Sequence, residues 1–264
     1  MSYQFVKYEK ENHIAHVTIN RPEVMNSLHP PANRELSRIW QDFLDDPDCW
    51  VAVLTGAGEK AFSAGNDLRY TAEHPEEFGP GGSAMDIPGG FGGLTSRFDF
   101  WKPLIGAVNG YALGGGLELA MACDIIIAAD HAKLGLPEPR VGLMAGAGGV
   151  FRLPRQIPLK IAMGMMVTGN SIDADYAHQV GLVNEVVPLK DLLSTAQRWA
   201  GEIIECAPLS VRASKQAAMM GLELDLDTAM NRNYPLVPVM QNSQDWVEGP
   251  RAFTEKRKPQ WKGE

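Results

Sequence analysis

The sequence has no long hydrophobic run and few cysteines. A membrane-spanning helix needs about 18 consecutive apolar residues, and no stretch of the chain reaches that length. The N-terminus lacks the basic start and apolar stretch of a secretory signal. Cys49, Cys123 and Cys206 are far apart, so they form neither a disulfide framework nor a CxxC metal site. These absences predict a cytoplasmic protein in a reducing compartment, with no membrane partner.

Positive charge is also scarce. The chain has 24 Lys and Arg against 32 Asp and Glu, a net charge of -8. Nucleic-acid binding needs a basic face, so we expect no nucleic-acid partner. The six histidines are scattered without ligand spacing, so neither a metal nor a redox cofactor is expected.

What the chain does contain predicts an α/β fold. With 264 residues and 45% hydrophobic residues, it can form one large domain with a helical appendage. Alternating residues predict a β-hairpin over 5–19, and short apolar runs predict buried strands over 50–54, 105–108 and 125–128. A helix with an apolar face, from Leu36 to Leu44, precedes the first of these strands. Strands alternating with helices indicate an α/β architecture.

Glycine-rich loops and a helical C-terminus complete the predicted organisation. The segments 56–65 and 78–93 are predicted loops, and the second contains seven glycines and two prolines. Loops of that length often cover or face a substrate. Helices are predicted over 159–168, 189–205, 209–220, 226–240 and 245–256. We therefore predict a core domain over 1–190 and a helical C-terminal region over 191–264.

Two glutamates occur in apolar, glycine-punctuated segments. Glu118 follows the triple glycine 114–116, and Glu138 lies between Pro137 and Pro139. Burying a carboxylate costs several kcal/mol unless the charge is paired or its pKa rises. The two glutamates therefore suggest a paired acid/base site. A solvated residue at a helix start is the alternative for Glu138.

Two glycine-containing segments come before predicted helices, at 60–68 and at 114–116. Glycine at a helix N-terminus exposes unpaired backbone N–H groups and lets a ligand approach closely. One N–H from each segment, aimed at one point, would form an oxyanion hole. Alternatively, the triple glycine is a close helix–strand contact, and Asn66 and Asp67 form only an N-cap turn.

These segments follow one another in an order that resembles a known family. The motifs are Asn20-Arg21-Pro22-Glu23, Asn26-Ser27-Leu28, Ala64-Gly65-Asn66-Asp67-Leu68, Gly114-Gly115-Gly116 with Glu118, Cys123-Asp124, Pro137-Glu138 and Gly146-Ala147-Gly148-Gly149. Over nearly its whole length the chain resembles the crotonase (enoyl-CoA hydratase/isomerase) superfamily. The resemblance implies a crotonase-like spiral of ββα units with a helical C-terminal region.

The resemblance also implies a substrate and a reaction. The substrate would be a coenzyme A thioester, whose carbonyl oxygen is held by the N–H groups of Asn66 and Gly115. Because both glutamates are present, the activity implied is that of an enoyl-CoA hydratase in acyl-CoA degradation. Glu118 would be the base that activates water, and Glu138 the acid that protonates C2. No cofactor is implied beyond the coenzyme A of the substrate.

The remaining site residues come from the same resemblance. The positions implied to bind substrate or CoA are Glu23, Met25, Ala64, Asp67, Leu68, Gly114, Pro137, Phe253 and Lys256. Phe253 and Lys256 match a C-terminal motif that reaches CoA across a subunit boundary, in homotrimers that commonly pair into homohexamers.

Three alternatives stay open at this point. One is a carnitinyl-CoA-type dehydratase or an isomerase acting on a substituted acyl-CoA. Another is a hydratase for bulky side-chain thioesters, and the third is a non-catalytic or RNA-binding homologue. A serine hydrolase using Ser63 is disfavoured, because its neighbours are not the glycines of a nucleophile elbow.

Overall fold

The structure is a computed structural model that describes residues 3–77 and 87–264. Residues 78–86 of the predicted glycine-rich loop lie outside the described part. The strands are β1 Val6–Glu11, β2 Ile14–Ile19, β3 Val51–Gly56, β4 Ala61–Ser63, β5 Leu104–Val108, β6 Tyr111–Leu113, β7 Ile125–Ala129, β8 Lys133–Gly135, β9 Ser171–Asp173 and β10 Glu185–Val187. The helices are α1 Pro30–Asp45, α2 Leu68–Glu73, α3 Gly115–Met121, α4 Gly149–Gln156, α5 Leu159–Thr168, α6 Ala174–Gln179, α7 Leu192–Ile204, α8 Pro208–Gly221, α9 Leu226–Asn231, α10 Leu236–Gln241 and α11 Gln244–Thr254.

The larger sheet has six strands in the order β1-β2-β3-β5-β7-β10. β1 and β2 form the predicted antiparallel hairpin, and the other neighbouring pairs are parallel. The hairpin turns at Asn12 and His13, which both have positive φ, the conformation of a two-residue turn between twisted strands. The predicted strands at 50–54, 105–108 and 125–128 are confirmed as β3, β5 and β7.

A second sheet, in the order β4-β6-β8-β9, carries the segments that lead into the glycine clusters. Its strand β4 lies inside segment 56–65, so the prediction of that segment as a loop was wrong. Three residues are too few to show the alternation that identifies a strand from sequence. β6 ends at Leu113, next to the triple glycine.

The larger sheet is covered on both faces. Alternate residues of a strand point to opposite faces, and on β3 Leu54 joins the cluster around Trp40 of α1, whereas Val53 joins Leu192 and Ala196 of α7. Thus α7, on the C-terminal side of the predicted boundary at 190/191, packs on the core sheet. The boundary itself stays a prediction.

The C-terminal region is helical, as predicted, with one correction. The segment 226–240 was predicted as one helix, but the structure divides it into α9 and α10. Pro235 has no N–H to continue a helix and disfavours helical geometry at the residue before it. No helix in the described residues is both long and apolar enough to cross a membrane.

Candidate active site

Glu118 is a buried carboxylate on α3. Only 3% of the residue is exposed, and its Oε1 accepts a 2.7 Å hydrogen bond from the N–H of Gly149 at the start of α4. Burial, together with the negative charge of Glu138, raises the pKa of Glu118 to about 7. The N–H groups of Gly149 and Ala147 and the positive charge of Arg152 oppose that rise. The group can therefore gain or lose a proton near neutral pH.

Glu138 is the second carboxylate, half-buried at the first residue of the 3-10 turn Glu138–Val141. Its Oε2 is buried and has no hydrogen-bond partner in the described part of the chain. Burial raises the pKa of Glu138 as well. A Cβ added to Gly114 would lie 2.9 Å from Glu138 Oε1, so this carboxylate rests against the start of the triple glycine.

The segments that carry Asn66 and Gly115 approach each other closely at Gly65. Asn66 forms a parallel bridge with Leu28 in which its own N–H takes no part. Gly115 is the first residue of α3, so its N–H has no partner within the helix. A Cβ on Gly65, which has φ +87, would lie 2.8 Å from Gly115 N. The absence of that Cβ lets the two segments approach each other.

The rest of the triple glycine is required by close packing. A Cβ on Gly115 would lie 2.6 Å from the ring of Phe91, and one on Gly116 would overlap the carbonyl oxygen of Ser63. The close helix–strand contact, considered above as an alternative, is therefore present, and the N–H of Gly115 as an oxyanion donor stays a prediction. Gly114 also has φ +56, which glycine adopts without strain.

Asp67 and Leu68 differ from each other in their surroundings. The Asp67 carboxylate is buried, bonds to Arg21 Nη1 at 3.0 Å and accepts the N–H of Tyr70 as the N-cap of α2. Both of its oxygens are thus engaged in structural contacts that fix the chain after Asn66. Leu68 is 47% exposed at the first position of α2.

A cavity of about 480 Å³ adjoins this region. Its lining includes Glu23 and Met25 together with Lys60. Met25 has a left-handed backbone, and its carbonyl accepts the N–H of Ala64 at 2.9 Å. The structure therefore brings the residues of segment 22–26 close to the segment that carries Asn66.

Phe253 and Lys256 stand apart from the glutamates in the single chain. Phe253 is 85% exposed on α11, a helix that packs against α10. Lys256 follows the helix with φ +54 and is also exposed.

Arg152 and Phe91 were missed as site residues. The half-buried guanidinium of Arg152 lies close enough to Glu118 to affect its pKa, and Phe91 covers Gly115. The glycine pair 148–149, just before Arg152, was the available signal, because such a pair also marks a helix start with free N–H groups. Nothing in the sequence around Phe91 distinguishes it from an ordinary core residue.

Potential metal ligands come together only at His74, Glu76 and Glu77, within residues 3–77 and 87–264. Their ligand atoms lie within 4.8 Å of one another. Glu77 already accepts the hydroxyl of Tyr70 at 2.7 Å, and Glu76 lies 3.5 Å from His74 Nδ1. These contacts account for the cluster as a set of surface pairs.

The raised pKa of Glu118 predicts a pH-dependent stability. The pKa of Glu118 rises from an ordinary value of 4.5 to about 7 in the folded state. The folded state therefore holds this proton more tightly than the unfolded state, and stability falls as pH rises between these two values. Glu118→Gln removes this cost and should stabilise the protein at pH 8 by about 3 kcal/mol. Urea unfolding at pH 8 and pH 4.5 measures the effect, which should vanish at the lower pH. Glu9→Gln, at an exposed position of β1, is the control, and an equal gain at both pH values would contradict the prediction.

Comparison with known proteins adds the family. The family model for enoyl-CoA hydratase/isomerase matches residues 9–264. The chain is 43% identical to (E)-benzylidenesuccinyl-CoA hydratase of Thauera aromatica over 258 residues, covering 98% of this chain and 99% of the relative. It is 40% identical to carnitinyl-CoA dehydratase of Citrobacter koseri over 266 residues, covering 97% of each.

The fold is shared with solved structures. The crystal structure of enoyl-CoA hydratase from Mycobacterium tuberculosis H37Rv superposes with a TM-score of 0.90 at 37% identity, covering 98% of this chain and 99% of the other. An enoyl-CoA hydratase from Bacillus anthracis gives a TM-score of 0.90 at 36% identity, covering 99% and 100%. The chain therefore belongs to the enoyl-CoA hydratase/isomerase family.

Proposed function

We propose that the protein is an enoyl-CoA hydratase, which adds water across the 2,3 double bond of a trans-2-enoyl-CoA. One observation supports this proposal: the chain has two carboxylates with raised pKa values, one of which rests against Gly114, and the nearby segments carry two backbone N–H groups, of Asn66 and Gly115, that have no acceptor in the described residues. Hydration requires that combination, because a proton must be removed from water, a proton must be delivered to carbon, and negative charge develops on the thioester oxygen.

The two glutamates divide the proton transfers. Glu118 takes a proton from water as the oxygen attacks C3, and Glu138 delivers a proton to C2. The charge of the enolate formed between these events falls on the thioester oxygen, facing the N–H groups of Asn66 and Gly115. Two nearby carboxylates resist ionising together. One of them therefore retains the proton that C2 receives.

The coenzyme A part is proposed to occupy the cavity beside segment 22–26. Glu23 and Met25 line this cavity, and Ala64 is bonded to Met25, as the resemblance implies for a CoA channel. Lys60 adds a cation for a phosphate group. Gly114 and Pro137 flank the carboxylate end, where Glu138 follows Pro137 directly. Asp67 contributes by holding Asn66 in place, and the exposed Leu68 offers an apolar surface next to it.

The relatives favour a substituted acyl group. One is described as acting on benzylidenesuccinyl-CoA and another on carnitinyl-CoA as a dehydratase. Addition and loss of water use the same two carboxylates in opposite order. The dehydratase alternative therefore requires the same site, catalysing the reverse reaction on a substituted thioester.

Self-association is proposed from the surface. Many large apolar side chains of the C-terminal half are exposed, among them Phe151, Leu159, Val167, Met230, Val239, Val247 and Phe253. Exposed apolar patches mark interaction surfaces. A homotrimer, or a hexamer made of two trimers, would cover them and would let Phe253 and Lys256 reach the CoA of a neighbouring subunit. Sedimentation equilibrium that returns a monomer would contradict this.

The three unpaired cysteines fit a cytoplasmic location, where thiols stay reduced.

The test is hydration of three thioesters: crotonyl-CoA, a medium-chain enoyl-CoA and an aryl-substituted enoyl-CoA, followed by loss of the enone absorbance. We expect turnover of at least one, with the preferred thioester identifying the acyl class. The same assay started from the 3-hydroxyacyl-CoA measures dehydration. Absence of turnover in both directions with all three would contradict the proposed function.

A further inference from the structure

Among the charged groups that influence the buried carboxylate of Glu118 most strongly, Arg152 is the one cationic side chain. It lies on α4, three residues after Gly149, whose N–H binds Glu118. Its Nη2 donates a 2.8 Å hydrogen bond to the carbonyl oxygen of Thr95, and its Nη1 lies so close to Gly148 that a Cβ there would overlap it. The guanidinium is therefore held on two sides.

The charges around Glu118 come from two elements. Glu138, at the start of its 3-10 turn, disfavours ionisation of Glu118, and Arg152, from α4, favours it. The N–H groups of Gly149 and Ala147 support the ionised form as well. In return, Glu118 is the main charged group that raises the pKa of Arg152 against the effect of its burial. The two side chains thus stabilise each other's charges.

The same guanidinium reaches the segment that covers the triple glycine. Thr95, whose carbonyl oxygen it binds, lies one turn after Phe91 and donates its N–H to the carbonyl of Phe91 at 3.3 Å. The ring of Phe91 packs on Gly115. Arg152 therefore links the helix that binds Glu118 to the segment that packs on Gly115.

We propose that Arg152 is a positioning residue of this site, which places its positive charge at the glycine turn 148–149 that binds Glu118 and links that turn to the segment 91–95 that packs on Gly115. The inference rests on the proposed hydration. It adds a group that does not touch the reacting atoms but acts on Glu118 and on the segment that packs on Gly115.

Arg152→Gln and Arg152→Lys test the proposal, with Arg155→Gln as the matched control. Arg155 lies on the same helix but points outward to Glu223. The first measurement is the pH profile of kcat/KM, whose acid limb reports the ionisation of Glu118. In Arg152→Gln we expect this limb to move to higher pH, so that activity falls below the limb and recovers at high pH. Arg152→Lys, which retains the charge, and Arg155→Gln should keep the limb at its wild-type position.

A second measurement does not depend on turnover. Titration of ¹³C-labelled glutamate by NMR, with Glu118 assigned by its loss in Glu118→Gln, reads the pKa of Glu118 directly. The expected rise in Arg152→Gln holds even if the thioesters tested are not substrates, so failure of this inference and failure of the proposed function are distinguishable. An unchanged pKa in a folded Arg152→Gln overturns the inference, and so does an equal shift in Arg155→Gln. If Arg152→Gln does not fold, Arg152→Lys decides, because a raised pKa despite the retained charge overturns it.

Discussion

Replacing either glutamate with glutamine is expected to lower the rate of enoyl-CoA hydration by a factor on the order of 10²–10⁴. In Glu118→Gln the amide oxygen can still accept the N–H of Gly149, bonded at 2.7 Å in the native protein, but the side chain can no longer take a proton from water. In Glu138→Gln the side chain occupies the same space against Gly114, yet it has no acidic proton to deliver to C2. Each change removes one proton transfer and leaves the shape of the site intact.

The measurement is kcat and KM for the preferred thioester, with binding of a saturated acyl-CoA by calorimetry. We expect kcat to fall while the affinity for the saturated analogue stays within a few-fold, because that analogue needs no proton transfer. Glu9→Gln should match the wild type in both. Retention of more than about a tenth of the rate in one variant would limit the acid/base role to the other glutamate, and retention in both would refute the two-carboxylate mechanism.

The rate of the wild-type protein is also expected to decrease on the acid side of neutral pH. Because the pKa of Glu118 is raised to about 7, and the base must be ionised, kcat/KM should decrease as pH falls below 7. The acid limb should disappear in Glu118→Gln, because the variant has no ionisable base at this position and retains only a small residual rate.

Gly65→Ala is the second change with a large expected effect. Gly65 has φ +87, and an alanine Cβ there would lie 2.7 Å from the carbonyl oxygen of Leu113 and 2.8 Å from Gly115 N. Both neighbours are backbone atoms, so the strand end and the helix start must shift. The displaced N–H of Gly115 no longer meets the thioester oxygen, and loss of one oxyanion donor costs on the order of 10²–10³ in kcat.

Asn66→Ala and Gly201→Ala are the controls for this substitution. Asn66 is proposed to contribute its backbone N–H, and within the described residues its side chain bonds only to the hydroxyl of Thr71 at 3.0 Å, so the alanine variant should keep a rate within a few-fold of wild type. Gly201 is on α7 with open space where a Cβ would go, and its alanine variant should gain up to about 1 kcal/mol of stability with an unchanged rate. A full rate in Gly65→Ala would show that the N–H of Gly115 is not an oxyanion donor. A strong loss of rate in Asn66→Ala would show that the side chain of Asn66, and not its backbone N–H, is the group that the reaction needs.

The sequence predicts the main sheet well because its strands are continuous apolar runs. β3 is buried along its whole length, and such a run identifies itself without tertiary information. Short elements are different: β4 is stable only because β6 pairs with it, and the break between α9 and α10 depends on one proline whose effect was underestimated. Both glutamates were singled out by their apolar, glycine-punctuated segments and by the family resemblance, and in the structure Glu118 is buried and Glu138 half-buried.

Contacts between distant segments could not be predicted in the same way. The Arg152 guanidinium binds the carbonyl oxygen of Thr95, which lies 57 positions earlier in the chain. No local sequence pattern encodes a contact between positions so far apart. The packing of Phe91 on Gly115 likewise depends on how the segment after position 87 crosses the start of α3. For the same reason the acyl preference is not readable, because the walls of that part of the site come from separate regions of the chain.

The backbone origin of the oxyanion donors has a consequence for how such a protein can diverge. An N–H at position 66 is supplied by any residue except proline, whereas Gly65, Gly114 and Gly116 admit no side chain without a clash. The proposed thioester site thus depends on glycines that must be kept and tolerates a change of side chain at position 66, whereas the proposed proton transfers depend on two replaceable side chains. A descendant of this protein could change its reaction by relocating a carboxylate while its fold and its handling of the thioester stay as they are.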